Sequence, residues 1–236
     1  EHTFGLLYYE SLEETPHDDK LVGHTLYLKR YAVAIQGHLL NEDELRAKYV
    51  DQEDQEQSTE KILAYAFAQE GVSLFEKLRG PFSILIWDQE TETLYGARDH
   101  FGIETLYLHD HGTWAIISSD KKAITAFQPK EVVKQQSLQH YLSFQYVPDP
   151  LTMSEGIYKL QAGHYFIKKQ DEPLNVYRYF TPYFNGNVSI DERQLIRKIR
   201  DVLITSVENH VPKKGSVGSF LSGGIDSSLL ASIAQR

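Results

Sequence analysis

Hydrophobic and polar positions change their period several times along this chain of 236 residues. Short apolar runs at residues 4–9 and 31–35 predict two strands, with an acidic solvated loop between them. The spacing becomes helical after Asn41-Glu42-Asp43-Glu44, which has the pattern of a capping box, and again over residues 58–78. Two helices are therefore predicted after the second strand.

Alternation with a period of two follows these helices. It predicts consecutive antiparallel strands over residues 82–88, 93–97, 105–108 and 114–117. A helix is then predicted at residues 139–144, and strands at residues 165–169 and 176–180. Strands, then helices, then a strand meander are typical of an α+β fold, in which helices pack on an antiparallel sheet.

A turn-rich change of composition at Asn185-Gly186-Asn187 predicts a domain boundary. We place one domain at residues 1–186 and the beginning of a second at residues 187–236. In the second, an amphipathic helix at 191–209, a strand at 216–221 and a helix from Ile225 predict the start of an open α/β domain. Roughly 50 residues cannot complete such a domain, so we expect the chain to belong to a longer protein.

Composition narrows the classes of function. The formal net charge is -9 and the basic residues are scattered, so we expect neither nucleic acid nor a membrane surface as a partner. The sequence contains no apolar run long enough to span a bilayer, and we expect a cytoplasmic location. The chain has no cysteine, which excludes disulfides, thiolate metal sites and cysteine nucleophiles within it.

The strongest chemical signal is the segment Ser222-Gly223-Gly224-Ile225-Asp226-Ser227-Ser228. Two glycines allow the backbone to fold closely around an anion, and a helix from Ile225 would offer N–H groups and its positive dipole end to phosphate. The serine hydroxyls add donors, and Asp226 could bind a magnesium ion. The segment predicts a pyrophosphate cradle, unlike the Gly-x-x-x-x-Gly-Lys-Ser/Thr loop, which the chain lacks.

This segment resembles the ATP-pyrophosphatase loop of the asparagine synthetase family. Further landmarks of that family occur in its order: Leu78-Arg79-Gly80-Pro81-Phe82, Arg98-Asp99-His100-Phe101-Gly102-Ile103, and residues 118–123, 146–152 and 159–164. The resemblance implies an α+β chain. Its first part would be a class II glutamine amidotransferase domain, an αββα sandwich of the N-terminal nucleophile hydrolase type. Its second part would be the beginning of an α/β adenine-nucleotide hydrolase-like domain.

The resemblance also implies an activity, the ATP-dependent and AMP-forming synthesis of an amide bond, as in asparagine biosynthesis. ATP and magnesium are the implied cofactors, aspartate or a similar carboxylate is the implied acyl substrate, and a homodimer is an open alternative to a monomer. The residues implied in binding ATP and pyrophosphate are Leu221, Ser222, Gly223, Gly224, Asp226, Ser227 and Ser228, with Asp226 also binding magnesium.

The glutaminase pocket is the place where the sequence departs from the family pattern. Glu1 stands where the family has its cysteine nucleophile, and a carboxylate cannot replace a thiolate in amide hydrolysis. Gln36, Gly37 and His38 stand where the family has Asn-Gly-Glu, an oxyanion contact and a carboxylate that binds the ammonium group of the substrate. Ser58 replaces a substrate-binding aspartate.

The family's Arg-Gly-Pro-Asp clamp also has no counterpart between residues 5 and 35. We therefore expect an inactive glutaminase domain, and a ligase that takes its nitrogen from ammonia or from an amine of the substrate. Two alternatives stay open. One is an intramolecular amide-forming enzyme resembling β-lactam synthetases or lasso-peptide cyclases, and the other is a noncatalytic binding or scaffolding relative.

Other polar residues are predicted to be structural. We expect Arg98 and Asp99 to form a buried pair, because arginine seldom serves as a base and the segment follows a strand. His109 and His111 flank a predicted hairpin turn without a third ligand nearby in the sequence, which favours a solvated turn over a metal site.

Overall fold

A computed structural model describes residues 29–50, 58–127, 130–184, 186, 191–211, 215 and 217–235. The chain divides into two compact units between Thr181 and Pro182. Glu1 and the predicted strand at residues 4–9 lie outside the described residues. The assignment of separate activities to residues 1–186 and 187–236 stays a prediction.

The first unit contains two antiparallel sheets. The larger has the order β1-β2-β3-β7-β8, with β1 at Tyr31–Gly37, β2 at Phe82–Asp88, β3 at Thr93–Arg98, β7 at His164–Lys169 and β8 at Asn175–Arg178. The smaller has the order β5-β4-β6, with β4 at Tyr107–Asp110, β5 at Ala115–Ser118 and β6 at Tyr158–Lys159. One uninterrupted meander was expected, and this expectation is wrong for β4 and β5. They form a separate sheet because β7 pairs with β3 at the edge that they would have extended.

Four α-helices belong to the described part of this unit: α1 at Glu42–Tyr49, α2 at Thr59–Glu70, α3 at Lys121–Thr125 and α4 at Gln135–Phe144. A 3-10 helix at Gly71–Lys77 follows α2 directly. The region predicted as one helix, residues 58–78, thus forms two helices, α2 and the 3-10 helix, and the second begins at Gly71.

Alternation along β2 decides which layers contact each other. Ile84 and Ile86 point to one face and pack in a core with apolar residues of α1 and α2. Leu85 and Trp87 point to the opposite face and pack against residues of the smaller sheet. Helices therefore cover one face of the larger sheet and the second sheet covers the other, while α3 contacts β4 and β5. The predicted α+β class is confirmed.

The described part of the second unit consists of two helices, α5 at Glu192–His210 and α6 at Ile225–Ala234. Asp191 caps α5, because its carboxylate accepts a hydrogen bond from the backbone N–H of Gln194 at 3.2 Å. The strand predicted at residues 216–221 is wrong for residues 217–221, which are irregular. A strand needs a neighbour for its backbone hydrogen bonds, and the described part of this unit contains none.

Among the described residues, no helix combines the length and the apolarity that are needed to cross a membrane.

Candidate functional site

Gln36 and Gly37, two residues of the predicted glutamine pocket, lie at one end of the larger sheet, where β1 ends. Gln36 in β1 is paired with Ser83 in β2, which is paired in turn with Arg98 in β3. The end of β1, the beginning of β2 and the end of β3 therefore lie side by side. This register also brings the segments that flank these strands to the same edge.

Two glycines allow the backbone segments at this edge to cross closely. Gly37 has φ +96°, and a Cβ atom added to it would lie 2.2 Å from the carbonyl oxygen of Pro81. Gly80 has φ +118°, and its Cβ would lie 2.4 Å from the carbonyl oxygen of His38. The backbone N–H of His38 donates to the Pro81 carbonyl at 2.9 Å. These close backbone contacts require glycine at both positions.

Asn41 connects the same segments through its side chain. Its amide nitrogen donates to the carbonyl of Lys77 and its amide oxygen accepts from the N–H of Arg79, both at 3.0 Å. The predicted capping box is wrong in this respect, since α1 begins after Asn41 without a side-chain cap bond. The side chain forms two bonds with the distant segment, where a cap would have given it one.

Asp99 organises the turn that follows β3. Its side chain is buried, and it accepts hydrogen bonds from the backbone N–H groups of Phe101, Ile103 and Glu104 at 3.0, 3.1 and 2.9 Å. A carboxylate is an efficient partner for such N–H groups because it offers several acceptor sites. These hydrogen bonds give Asp99 a structural role in the turn after β3.

Arg98 is also buried, but its carboxylate partner is not the neighbour that we expected. Its guanidinium donates to Asp149 Oδ2 at 2.7 Å, to the carbonyl of Gly102 at 2.7 Å and to the carbonyl of Glu104 at 2.6 Å. The predicted Arg98–Asp99 pair is therefore wrong as a pair. The Arg98 guanidinium carries only donors, so it binds carbonyl oxygens and the Asp149 carboxylate. The Asp99 carboxylate carries only acceptors, so it binds backbone N–H groups.

Glu104 is a residue that the sequence analysis missed. Its carboxylate Oε2 accepts a hydrogen bond from Gln36 Nε2 at 2.8 Å, and its Cγ lies 3.1 Å from the place of a Cβ on Gly37. Nothing in the local sequence singles out this glutamate. The pairing of β1 with β2 and of β2 with β3 would have been needed to bring residues 36 and 104 together.

His100 lies behind this turn in an aromatic environment. Its ring centroid is 5.2 Å from that of Tyr179 and 4.6 Å from that of Phe180. Burial lowers the pKa of His100, and the nearby Asp99 offsets part of this effect. Burial also raises the pKa of Tyr179, whose hydroxyl donates to the carbonyl of Arg98 at 2.6 Å. These groups support the turn.

Ser58 lies at the beginning of α2. Its hydroxyl accepts from the backbone N–H of Lys61 at 3.4 Å, so it caps this helix. A capping role accounts for a serine at this position, and its assignment to a glutamine pocket stays a prediction.

His109 and His111 differ from the predicted solvated turn. His109 is buried, and its Nδ1 lies 2.8 Å from the carbonyl oxygen of Gly156. Its Nε2 lies 2.8 Å from His111 Nε2, and the His111 ring stacks on Trp114 with centroids 4.2 Å apart. The expectation is wrong for His109, because the neighbouring loop at Gly156 covers it.

The predicted phosphate loop lies in the second unit and is exposed. The helix α6 begins at Ile225, as predicted, and its N-cap Gly224 provides no side-chain cap bond. Ser228 Oγ donates to the Gly224 carbonyl at 2.8 Å, and Ser222 Oγ lies 3.0 Å from Ser227 Oγ. The loop therefore brings its hydroxyls together at the N-terminus of α6.

The residues of this loop fit a phosphate with its magnesium ion. Gly223 has φ +82° and no atom within 4 Å of an added Cβ, so the backbone is open to a close ligand. Asp226 lies in the first turn of α6 and supplies the oxygen ligand that magnesium prefers. Hydroxyls, a helix N-terminus and one carboxylate match the donors and acceptors of an ATP·Mg²⁺ site.

Comparison with known proteins agrees with both parts of the chain. Residues 25–180 match the family described as glutamine amidotransferase domain. The chain belongs to this family. Residues 198–236 match the asparagine synthase family, so the predicted combination of the two parts, as in asparagine synthetases, is confirmed.

Individual relatives give the same result. The chain is 36% identical to asparagine synthetase [glutamine-hydrolyzing] 1 of Bacillus subtilis over 87% of its length, which corresponds to 33% of that protein. It is 33% identical to a putative asparagine synthetase [glutamine-hydrolyzing] of Mycobacterium tuberculosis, over 88% of the chain and 33% of the relative. The chain therefore spans about a third of the length of these relatives.

The solved structures that resemble the chain include the glutamine phosphoribosylpyrophosphate amidotransferase of B. subtilis complexed with ADP and GMP. The TM-score is 0.40 at 16% sequence identity, and the match covers 87% of this chain and 44% of the other.

Proposed function

We propose that the protein containing this chain is an ATP-dependent, AMP-forming amide ligase of the asparagine synthetase type. The observation that carries the proposal is the loop of Ser222, Gly223, Gly224, Asp226, Ser227 and Ser228 at the N-terminus of α6, within a segment that matches the asparagine synthase family. Aspartate or a similar carboxylate would be the acyl substrate.

The proposed reaction has two steps. A carboxylate oxygen of the substrate attacks the α-phosphorus of ATP, the bond to the bridging oxygen breaks, and pyrophosphate leaves with the electron pair. An amine nitrogen then attacks the acyl carbon of the adenylate, loses a proton, and AMP leaves with the electron pair of the C–O bond.

The residues of the loop would act on the leaving group. The hydroxyls of Ser222, Ser227 and Ser228 and the N-terminus of α6 would bind the pyrophosphate oxygens, with the backbone at Leu221 facing the adenine. Asp226 would hold magnesium, which neutralises charge that develops on the phosphates when it is bound. These interactions would favour the departure of pyrophosphate because they strengthen as its charge increases.

We further propose that the first domain does not hydrolyse glutamine. His38 cannot offer the carboxylate that an ammonium group requires, and Ser58 caps α2. Ammonia or an amine of the substrate would then be the nitrogen source.

The test measures pyrophosphate release by the complete protein with ATP, aspartate and ammonium, and again with glutamine as the nitrogen source. We expect turnover with ammonium and at most a small fraction of it with glutamine. Equal turnover with glutamine would overturn the proposed inactivity of the first domain. If no carboxylate supports adenylate or pyrophosphate formation, the ligase proposal is wrong.

A matched pair of variants tests the loop. Asp226→Ala should lower pyrophosphate release at least about tenfold, because the proposed magnesium ligand is lost. Asp201→Ala removes an exposed carboxylate from α5 of the same unit and should leave the rate unchanged. Equal rates in the two variants would remove Asp226 from its proposed role.

A further inference from the structure

His109 and His111 lie at the end of β4 and in the turn after it. Alternate residues of a strand point to the same face, so their imidazole rings lie on one side of the hairpin and Asp110 lies on the other. The Asp110 carboxylate accepts hydrogen bonds from the backbone N–H groups of Gly112 at 3.1 Å and Leu174 at 2.9 Å. The two histidines therefore form a pair that is separate from this carboxylate.

The ring of His109 is held in one orientation by the loop at Gly156. A carbonyl oxygen can only accept a hydrogen bond, so Nδ1 of His109 must donate to the Gly156 carbonyl, at 2.8 Å. Gly156 has φ +76°, and an added Cβ would lie 3.3 Å from His109 Cε1, so the loop packs closely on the ring. In the neutral ring the lone pair is then on Nε2. Histidines that bind metal ions commonly donate their other ring N–H to a carbonyl in this way.

Two distances describe how the rings of His109 and His111 meet. Their Nε2 atoms are 2.8 Å apart and their ring centroids are 4.4 Å apart. Rings placed end to end in a linear hydrogen bond would have centroids about 5 Å apart at this nitrogen separation. The shorter centroid distance shows that the rings converge at an angle.

The same two distances are those of a pair of adjacent metal ligands. Two imidazole nitrogens that bind one ion at about 2.0 Å, with about 90° between them, lie about 2.8 Å apart, and their ring centroids lie about 4.4 Å apart. A tetrahedral ion would separate the nitrogens by about 3.3 Å. The geometry of the pair thus matches square-planar or tetragonal coordination, which copper(II) and nickel(II) prefer with nitrogen and oxygen ligands.

An ion can reach this pair from solvent. His109 is 7% exposed, but His111 is exposed and its ring stacks on Trp114, which is 49% exposed. Within the described ranges, no group of three or more His, Cys, Asp or Glu side chains could hold a metal ion. Water would therefore supply the remaining ligands.

We propose that His109 and His111 form a binding site for a divalent transition-metal ion of tetragonal preference, copper(II) or nickel(II). The ion takes the place of the proton between the two Nε2 atoms. Because His109 carries its proton on Nδ1, His111 must donate from Nε2 in the absence of the ion, and metal binding moves this proton to His111 Nδ1. The site lies in the first unit, and it does not depend on the proposed ligase activity.

The test measures the binding of Ni²⁺ and of Zn²⁺ to the complete protein by titration calorimetry. We expect one Ni²⁺ per chain at this site, bound more tightly than Zn²⁺. His111→Gln keeps an NH₂ group that can donate to His109 but loses the imidazole ligand. It should weaken Ni²⁺ binding at least about tenfold, since even the loss of an outer partner of a metal ligand commonly costs this much.

Electron paramagnetic resonance with Cu²⁺ identifies the ligands. The wild-type signal should show coupling to two imidazole nitrogens, and the signal of His111→Gln should lose this pattern. His210→Gln, which removes an exposed imidazole from α5, is the matched control and should keep the wild-type affinity for Ni²⁺. Because His111 is exposed, its replacement should leave the fold intact, which the amide exchange of β4 and β5 checks.

Three results would overturn the inference. The first is an affinity for Ni²⁺ that is the same in His111→Gln and in the wild type, which would place the ion elsewhere. The second is tighter binding of Zn²⁺ than of Ni²⁺, which would contradict the tetragonal geometry. The third is the absence of metal binding to the wild type.

Discussion

Gly37 combines two constraints that a side chain would violate. Its φ of +96° is unfavourable for other residues, and an added Cβ would lie 2.2 Å from the Pro81 carbonyl oxygen. We expect Gly37→Ala to lower the free energy of unfolding of the first unit by about 3 kcal/mol, since backbone strain and overpacking add. Amide hydrogen exchange of β1 and β2 in the complete protein measures this.

Gly112→Ala is the matched control for this variant. Gly112 also has a positive φ, +80°, but no atom lies within 4 Å of its added Cβ. We expect a loss of roughly 1 kcal/mol, from backbone strain alone. Equal losses in the two variants would show that the crossing with Pro81 does not limit this position.

His100 should make the stability of the first unit depend on pH. Burial lowers its pKa in the folded chain below the ordinary value of 6.5, so the unfolded chain binds the proton more readily. Its contribution is therefore present above about pH 6.5 and is lost as pH falls from there towards the folded pKa. This single group contributes at most about 1.4 kcal/mol per pH unit.

The measurement is the free energy of unfolding between pH 7.5 and pH 5.5, from amide exchange of the larger sheet. His100→Phe keeps an aromatic ring between Phe82, Tyr179 and Phe180 but cannot bind a proton, so we expect a less steep loss. His210→Gln alters an exposed imidazole of α5 and should keep the wild-type slope. An unchanged slope in His100→Phe would contradict the assignment.

At the scale of elements, Asn41 connects the beginning of α1 to the segment before β2. Asn41→Ala leaves the carbonyl of Lys77 and the N–H of Arg79 without their side-chain partner. We expect a loss of about 2 kcal/mol, because partly buried backbone groups would lose their hydrogen bonds. The exchange of the Arg79 amide should become faster.

Asn41→Asp and Asn175→Ala complete this experiment. An aspartate retains the acceptor for Arg79 but not the donor to Lys77, so it should protect the Arg79 amide and still cost stability. Asn175 is exposed and donates to the nearby Pro173 carbonyl, so its replacement should cost little. If the Arg79 amide exchanges at the wild-type rate in Asn41→Ala, the proposed bridge is absent in solution.

Local pattern predicted the elements whose own residues determine them. The alternation in β2 and β3 and the helical spacing of α5 each describe a buried or apolar face that the segment itself encodes. The separation of β4 and β5 into a second sheet depends on β7, which begins only at His164, far beyond both strands in the sequence. The sequence pattern predicted β4 and β5 as strands, but it did not predict that they form a sheet of their own.

The two candidate sites differ in the same way. The loop at residues 222–228 is continuous in sequence, so its glycines, hydroxyls and carboxylate predict a phosphate site without any knowledge of the fold. The surroundings of Gln36 consist of residues far apart in the sequence, and Glu104 contacts Gln36 only because of the register of three strands. Asn41 has a local pattern typical of an N-cap, but its side chain binds the backbone of Lys77 and Arg79 instead.

For the whole molecule, the proposed function predicts that ATP and glutamine have different effects on amide exchange. In the complete protein, ATP with magnesium should slow amide exchange at residues 221–228 and in α6, because a ligand that binds the folded state suppresses local opening. Protection should reach about 2.7 kcal/mol at a ligand concentration a hundred times the dissociation constant. Amides of Gly37 and His38 should not respond to ATP.

The second part of this experiment uses glutamine as the ligand in place of ATP. If the first domain has lost its glutaminase function, we expect it to bind glutamine weakly. At the glutamine concentration of the activity assay, the exchange of Gly37, His38 and Leu40 should then change by less than about a factor of two, because protection grows with the ratio of ligand concentration to dissociation constant. Asp226→Ala should abolish the effect of ATP in α6, whereas Asp201→Ala should retain it. Strong protection of Gly37 by glutamine would point to a functional pocket. Protection of α6 that survives Asp226→Ala would mean that magnesium is held by other groups.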